Sequence, residues 1–100
     1  METLSIQDLL KRYKIDVELL NLEDTFDLEN MAYKRKDILE KFNELTEEEK
    51  KEFLEIDKEF QRYVPEIKKL YPRLYELVIK PVNNKLEKIN KQYNHHAHSN

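Results

Sequence analysis

Apolar residues recur along this chain in steps of three and four, the period of a helix buried on one side, and nowhere alternate long enough for a strand. Ile6, Leu9, Leu10, Tyr13, Val17 and Leu20 keep that spacing in the first segment. Ser5 precedes them as an N-cap, with Asp8 three residues on near the positive helix end. The turn residues of "NLEDTFD" interrupt the pattern before a second helix starts near Thr25 or Asp27 and runs to about Asn43. Its seam of Leu28, Met31, Arg35, Ile38, Phe42 and Leu45 contains one charged member. Arg35 is expected either to snorkel outward or to meet Asp57 or Glu59 across the next turn. Thr46 and Glu49 then form a capping-box pair at the start of a third helix near Glu47. Two long helices joined by so short a link predict an antiparallel hairpin.

The third helix carries Phe53, Ile56, Phe60, Tyr63, Ile67, Leu70, Leu74 and Leu77 as a second seam, which passes straight through Pro65 and Pro72. A proline costs about 3 kcal/mol inside a helix, yet Val64 and Tyr71 are poor caps for a restart at either one. The two prolines share one face, opposite the seam, where water can replace the lost hydrogen bonds and the helix can bend. The spacing therefore predicts one long, proline-kinked helix, with a true break at Pro65 or Pro72 as the rival. On the first reading, replacing Pro72 with Ala stabilises the fold. Pro81 falls on the seam itself, so the helix should end there and a last one begin at "PVNN", with Val82, Leu86, Ile89 and Tyr93 inward. The expected fold class is all-α: an antiparallel helical hairpin in a small bundle with one long, proline-kinked helix. Residues 1–94 form one helical domain and residues 95–100 a flexible, histidine-bearing tail.

Composition sharpens this picture. The 100 residues contain no glycine, where about seven would be usual, which argues against tight hairpins and phosphate-cradling loops. There is no cysteine, hence no disulfide or thiolate chemistry. With no signal-peptide pattern and no apolar run of about 20 residues, a cytoplasmic chain without a membrane partner is expected. Charge is unevenly spread. Residues 1–60 hold 10 Lys and Arg against 18 Asp and Glu, a net −8, and residues 61–100 hold 8 against 3, a net +5. A chain with an acidic front and a basic rear can pair with itself or with a polar partner.

Candidate chemistry is sparse. Neither Ser5 nor Ser99 has a histidine and an orienting acid near it in sequence, so no catalytic residues, no cofactor and no enzyme are expected. His95, His96 and His98 can take up a transition metal opportunistically, but a mobile tail lacks the support of a built site, so no metal site is expected. Arg62, Glu66, Lys69, Arg73, Glu76 and Lys80 project as one stripe whose signs neutralise each other, and Glu48, Glu52, Glu55 and Glu59 extend it backward as an acidic run.

The second seam spans about 37 Å of helix and the preceding helix about 26 Å, so Leu70, Leu74 and Leu77 stand to be left uncovered. These three leucines, with Arg62, Lys69 and Arg73, are the predicted partner-binding residues. The predicted function is a small helical protein–protein interaction module, a regulator or adaptor that forms a homodimer or binds another protein. The alternative is a nucleic-acid-associated protein using the basic rear, whose binding would collapse with salt.

Overall fold

Ser5 opens α1 (Ile6–Glu18), its side chain accepting a hydrogen bond from the Asp8 N–H at 3.1 Å. The structure, a computed structural model, describes residues 5–98, with side chains through Lys91. An Asx turn at Asn21 leads to Asp24, which caps α2 (Thr25–Glu40) by accepting from the Asp27 N–H at 3.1 Å. A single 3₁₀ turn, Phe42–Glu44, carries the chain to Thr46. There the capping box closes in both directions: Thr46 N–H donates to Glu49 Oε1 at 2.9 Å, and Glu49 N–H to Thr46 Oγ1 at 3.1 Å. It starts α3 (Glu47–Gln61). The fold is all-α, with α2 and α3 as the antiparallel arms of the predicted hairpin.

One core joins these helices. α1 packs on both arms, and the C-terminal helix packs on α2. Tyr13, Phe53, Phe60, Leu28, Ile38, Ile67 and Ile79 are fully buried there. The Tyr13 ring lies 5.7 Å from Phe53 and 6.2 Å from Phe60, so aromatic packing ties α1 to α3. The radius of gyration, 13.7 Å, is close to the roughly 13 Å of a compact chain this long.

The helical path from Glu47 onward is kinked, and each kink has its own cause. After α3 the ladder tightens as the Tyr63 N–H bonds the Phe60 carbonyl, and α4 (Val64–Leu70) follows with Pro65 in its first turn. Tyr71 leaves helical space (φ −135°, ψ 68°), as a residue before proline tends to do, and α5 (Pro72–Leu74) begins on Pro72. Neither restart has a side-chain cap. None is needed, because the Ile67, Tyr71 and Tyr75 N–H groups each bond the carbonyl four residues back, carrying the ladder across both kinks. Tyr71 Oη also donates to the Leu22 carbonyl at 2.7 Å, fastening the second kink to the α1–α2 turn. Pro65 and Pro72 both face outward.

Two expectations need correction. No helix ends at Pro81. A π turn, Tyr75–Ile79, comes just before it, with the Lys80 N–H bonded to the Tyr75 carbonyl five residues back, and α6 (Lys80–His98) runs through an exposed Pro81. The wider turn takes up the misfit between the proline ring and the Leu77 carbonyl. The second seam also does not keep its register: Tyr63 is exposed, and Val64, Val78 and Ile79, which lie off the seam, are buried. Leu70 and Leu77 are exposed, as the helix lengths predict, whereas Leu74 is half-buried. Each kink, and then the π turn, rotates the buried face away from the heptad register. Tyr93 and the three histidines, with the tail expected of them, have side chains outside the described residues.

Candidate functional site

Two features stand out, one on the surface and one within. On the surface, Thr25, Glu29 and Tyr33 project from α2 at four-residue spacing toward the chain that follows the second kink. Together with Tyr71, Pro72, Arg73, Leu74, Leu77 and Val78 they line a groove of two adjoining parts, about 330 and 290 Å³. Glu29, Arg73 and Leu74 line both parts. Large apolar side chains stand uncovered at and near it: Leu77 is 71% exposed, Tyr33 50%, and Phe26, one turn before Glu29, 72%.

Of the six residues expected to bind a partner, the fold brings three together here. Arg73 and Leu77 are exposed, and Leu74 is half-buried against the core. Leu70, 52% exposed, and the exposed Arg62 and Lys69 do not line the groove. The α2 wall was missed because no local rule tells which face of α2 meets a segment more than forty residues away. Elsewhere on the surface, short-range pairs engage part of the charged stripe and its neighbours: Lys50 with Glu47 at 3.2 Å, Lys58 with Glu55 at 3.1 Å, Arg62 with Glu59 at 3.4 Å and Lys80 with Glu76 at 3.4 Å. Among the described residues neither Glu29 nor Arg73 takes part in an ion pair.

Inside, Arg35 does not snorkel. It is 1% exposed and clamps Asp57, itself 5% exposed, through Nε to Oδ1 at 2.6 Å and Nη2 to Oδ2 at 3.0 Å. The guanidinium lies over the Phe60 ring, 4.8 Å from its centre. Tyr13 Oη donates to Asp57 Oδ1 at 2.7 Å, so one carboxylate gathers α1, α2 and α3. Gln61 Nε2 reaches Asp57 Oδ2 at 3.2 Å and Asn83 Oδ1 at 2.9 Å, and Arg35 Nη2 also donates to Asn83 Oδ1, which brings in α6. Burial, and then the Asp57 carboxylate beside it, push the Tyr13 hydroxyl well above its ordinary range, so it stays a donor. Arg35 Nη1 is buried without a partner.

The outer edge of this network forms the floor of a cleft of about 370 Å³ between α3 and α6. Asp57, Gln61 and Asn83 lie along it, with Leu54, Tyr75 and Leu86 as walls and Lys58, Asn84, Glu87 and Asn90 completing the lining. Among the described residues no three His, Cys, Asp or Glu side chains cluster as metal ligands, and no helix is long and apolar enough to cross a membrane.

No protein-family model matches the chain, and no curated protein or solved structure matches it either.

Proposed function

We propose that the protein is a helical protein–protein interaction module, a regulator or adaptor rather than an enzyme, and that it pairs with a second copy of itself through the groove between α2 and the Tyr71–Val78 stretch. One observation carries the reading: a single groove holds both an acidic and a basic side chain, Glu29 and Arg73, each without an ion-pair partner among the described residues, beside exposed Leu77 and Tyr33. A two-fold axis makes such a surface complementary to itself, because Arg73 of each copy faces Glu29 of the other. Pairing covers the exposed apolar side chains that monomers seldom leave together.

Sedimentation equilibrium tests this. The expected result is a dimer that Leu77→Glu or Arg73→Glu weakens by at least about tenfold, since each places a charge against apolar surface or against a like charge. Combining Glu29→Arg with Arg73→Glu exchanges the two signs and restores the dimer. A wild-type chain that stays monomeric at the highest concentration it tolerates sinks the proposal, as does a double variant no tighter than the single.

A further inference from the structure

The cleft between α3 and α6 shares no residue with the groove, and its chemistry is of another kind. Its floor consists of two carboxamides whose orientation the buried ion pair dictates. An ionised carboxylate only accepts hydrogen bonds, so the Gln61 atom facing Asp57 Oδ2 is nitrogen. A guanidinium only donates, so the Asn83 atom facing Arg35 Nη2 is oxygen. Gln61 Nε2 then spends its second hydrogen on Asn83 Oδ1, at 2.9 Å. What remains of each amide is fixed by elimination. Gln61 turns its Oε1 acceptor, and Asn83 its Nδ2 donor, away from the ion pair. The two atoms lie 3.4 Å apart, joined by one long hydrogen bond that leaves Nδ2 a second hydrogen and Oε1 a free lone pair. Gln61 and Asn83 are both half-buried, as residues lining an open cleft should be.

The floor thus presents one acceptor beside one donor, held rigidly because neither amide can flip without opposing Arg35 or Asp57. We infer that the cleft binds a nucleobase, in a free nucleoside or nucleotide, through an edge that offers an N–H next to an acceptor. A planar base meets that pair with two hydrogen bonds, the same donor-plus-acceptor pattern by which one carboxamide reads adenine but here supplied by two amides 3.4 Å apart. The flanking side chains suit the rest of such a molecule. Leu54, Leu86 and the Tyr75 ring give apolar and aromatic walls for its faces. Asn84 and Asn90 supply further amides for sugar hydroxyls. The inference stands apart from self-association, and either can fail alone.

The test is a titration of ¹⁵N-labelled protein with adenosine, uridine, cytidine and inosine, followed by the side-chain NH₂ signals of Gln61 and Asn83. Ribose and acetamide serve as controls for the sugar and for a bare amide edge. At least one nucleoside is expected to shift both pairs of signals saturably, with ribose inert and acetamide far weaker. Asn83→Asp keeps the oxygen that Arg35 and Gln61 require, and turns the outward donor into an acceptor with one added negative charge. It should leave the helical spectrum intact and weaken binding by about tenfold or more. Silence of both amide signals with every nucleoside in the wild-type chain overturns the inference, whatever the variant does. Acetamide binding as tightly as any nucleoside, or a folded Asn83→Asp that binds unchanged, also overturns it.

Discussion

Asp57 shows how much one side chain can hold. Its carboxylate accepts from Tyr13, Arg35 and Gln61, so its acceptor positions are filled and its charge is balanced inside the core. Removing either member of a buried ion pair strands the other, so Arg35→Met alone and Asp57→Leu alone should each cost about 3–5 kcal/mol. The double change should cost much less than the two together, because no charge is left behind. Denaturant unfolding of the cycle checks this, and additive losses would show that the pair is not a unit. Tyr13 extends the argument to pH. Its folded pKa is raised, so its contribution is fully present below the ordinary tyrosine pKa of about 10 and is lost as pH rises beyond it, when the unfolded chain gives up the proton first. Tyr13→Phe removes a donor to a charged acceptor, a loss of about 1.5–3 kcal/mol, and should flatten stability against pH above 10. A wild-type chain equally stable well above that pH would contradict the assignment.

At the scale of elements, the third helix depends on its start. Thr46→Ala should cost about 1 kcal/mol in thermal or denaturant unfolding, since the Glu49 N–H loses the hydroxyl that accepts from it while the bond from the Thr46 backbone N–H to Glu49 remains. Glu49, held ionised chiefly by the Thr46 backbone N–H, has a lowered pKa. Its contribution is therefore present above the ordinary carboxylate pKa and fades as pH falls through the lowered one. The prolines divide by position. Pro72 opens a helical segment, where a fixed φ suits it, so Pro72→Ala should destabilise by about 0.4–1 kcal/mol through a freer unfolded chain, the reverse of what a mid-helix proline implies. Pro81 lies inside a continuous helix behind a π turn, so Pro81→Ala should stabilise, by up to about 3 kcal/mol if the turn relaxes to regular helix. Unfolding midpoints of both variants decide the matter. Opposite signs are expected, and equal signs would refute the assignment.

At the scale of the molecule, a hundred-residue chain with a single core has little stability to spare, and pairing adds to it by mass action. The apparent thermal midpoint should therefore rise with protein concentration, and Arg73→Glu should abolish that dependence. A concentration-independent midpoint in the wild-type chain counts against self-association. The acidic front and basic rear do not enforce pairing by themselves, because exposed ion pairs contribute little and some of these charges are already met by neighbours three or four residues away. The groove gains its complementarity from two charges far apart in sequence, Glu29 and Arg73, that the fold brings to the lining of one groove.

The sequence by itself determined what depends on neighbours within a turn or two of helix. The caps at Ser5 and Thr46, the buried positions of α1 and α2, and the hairpin between α2 and α3 all follow from spacing, capping chemistry and the lack of glycine. It also placed Arg35 on a seam and named Asp57 as one possible partner, because a hairpin puts those positions opposite each other. Only the tertiary structure decided the rest. Helix lengths alone left Leu70 and Leu77 uncovered, but each kink re-aims everything after it, so small local departures at Tyr63, Tyr71 and the π turn compound until Val78 and Ile79, which lie off the seam, face the core. Heptad counting cannot follow that rotation, because it assumes one unbroken helical phase. Nor can it foresee that α6 returns Asn83 to Gln61, 22 residues away, since that meeting is set by how the whole core closes rather than by any residue near either amide.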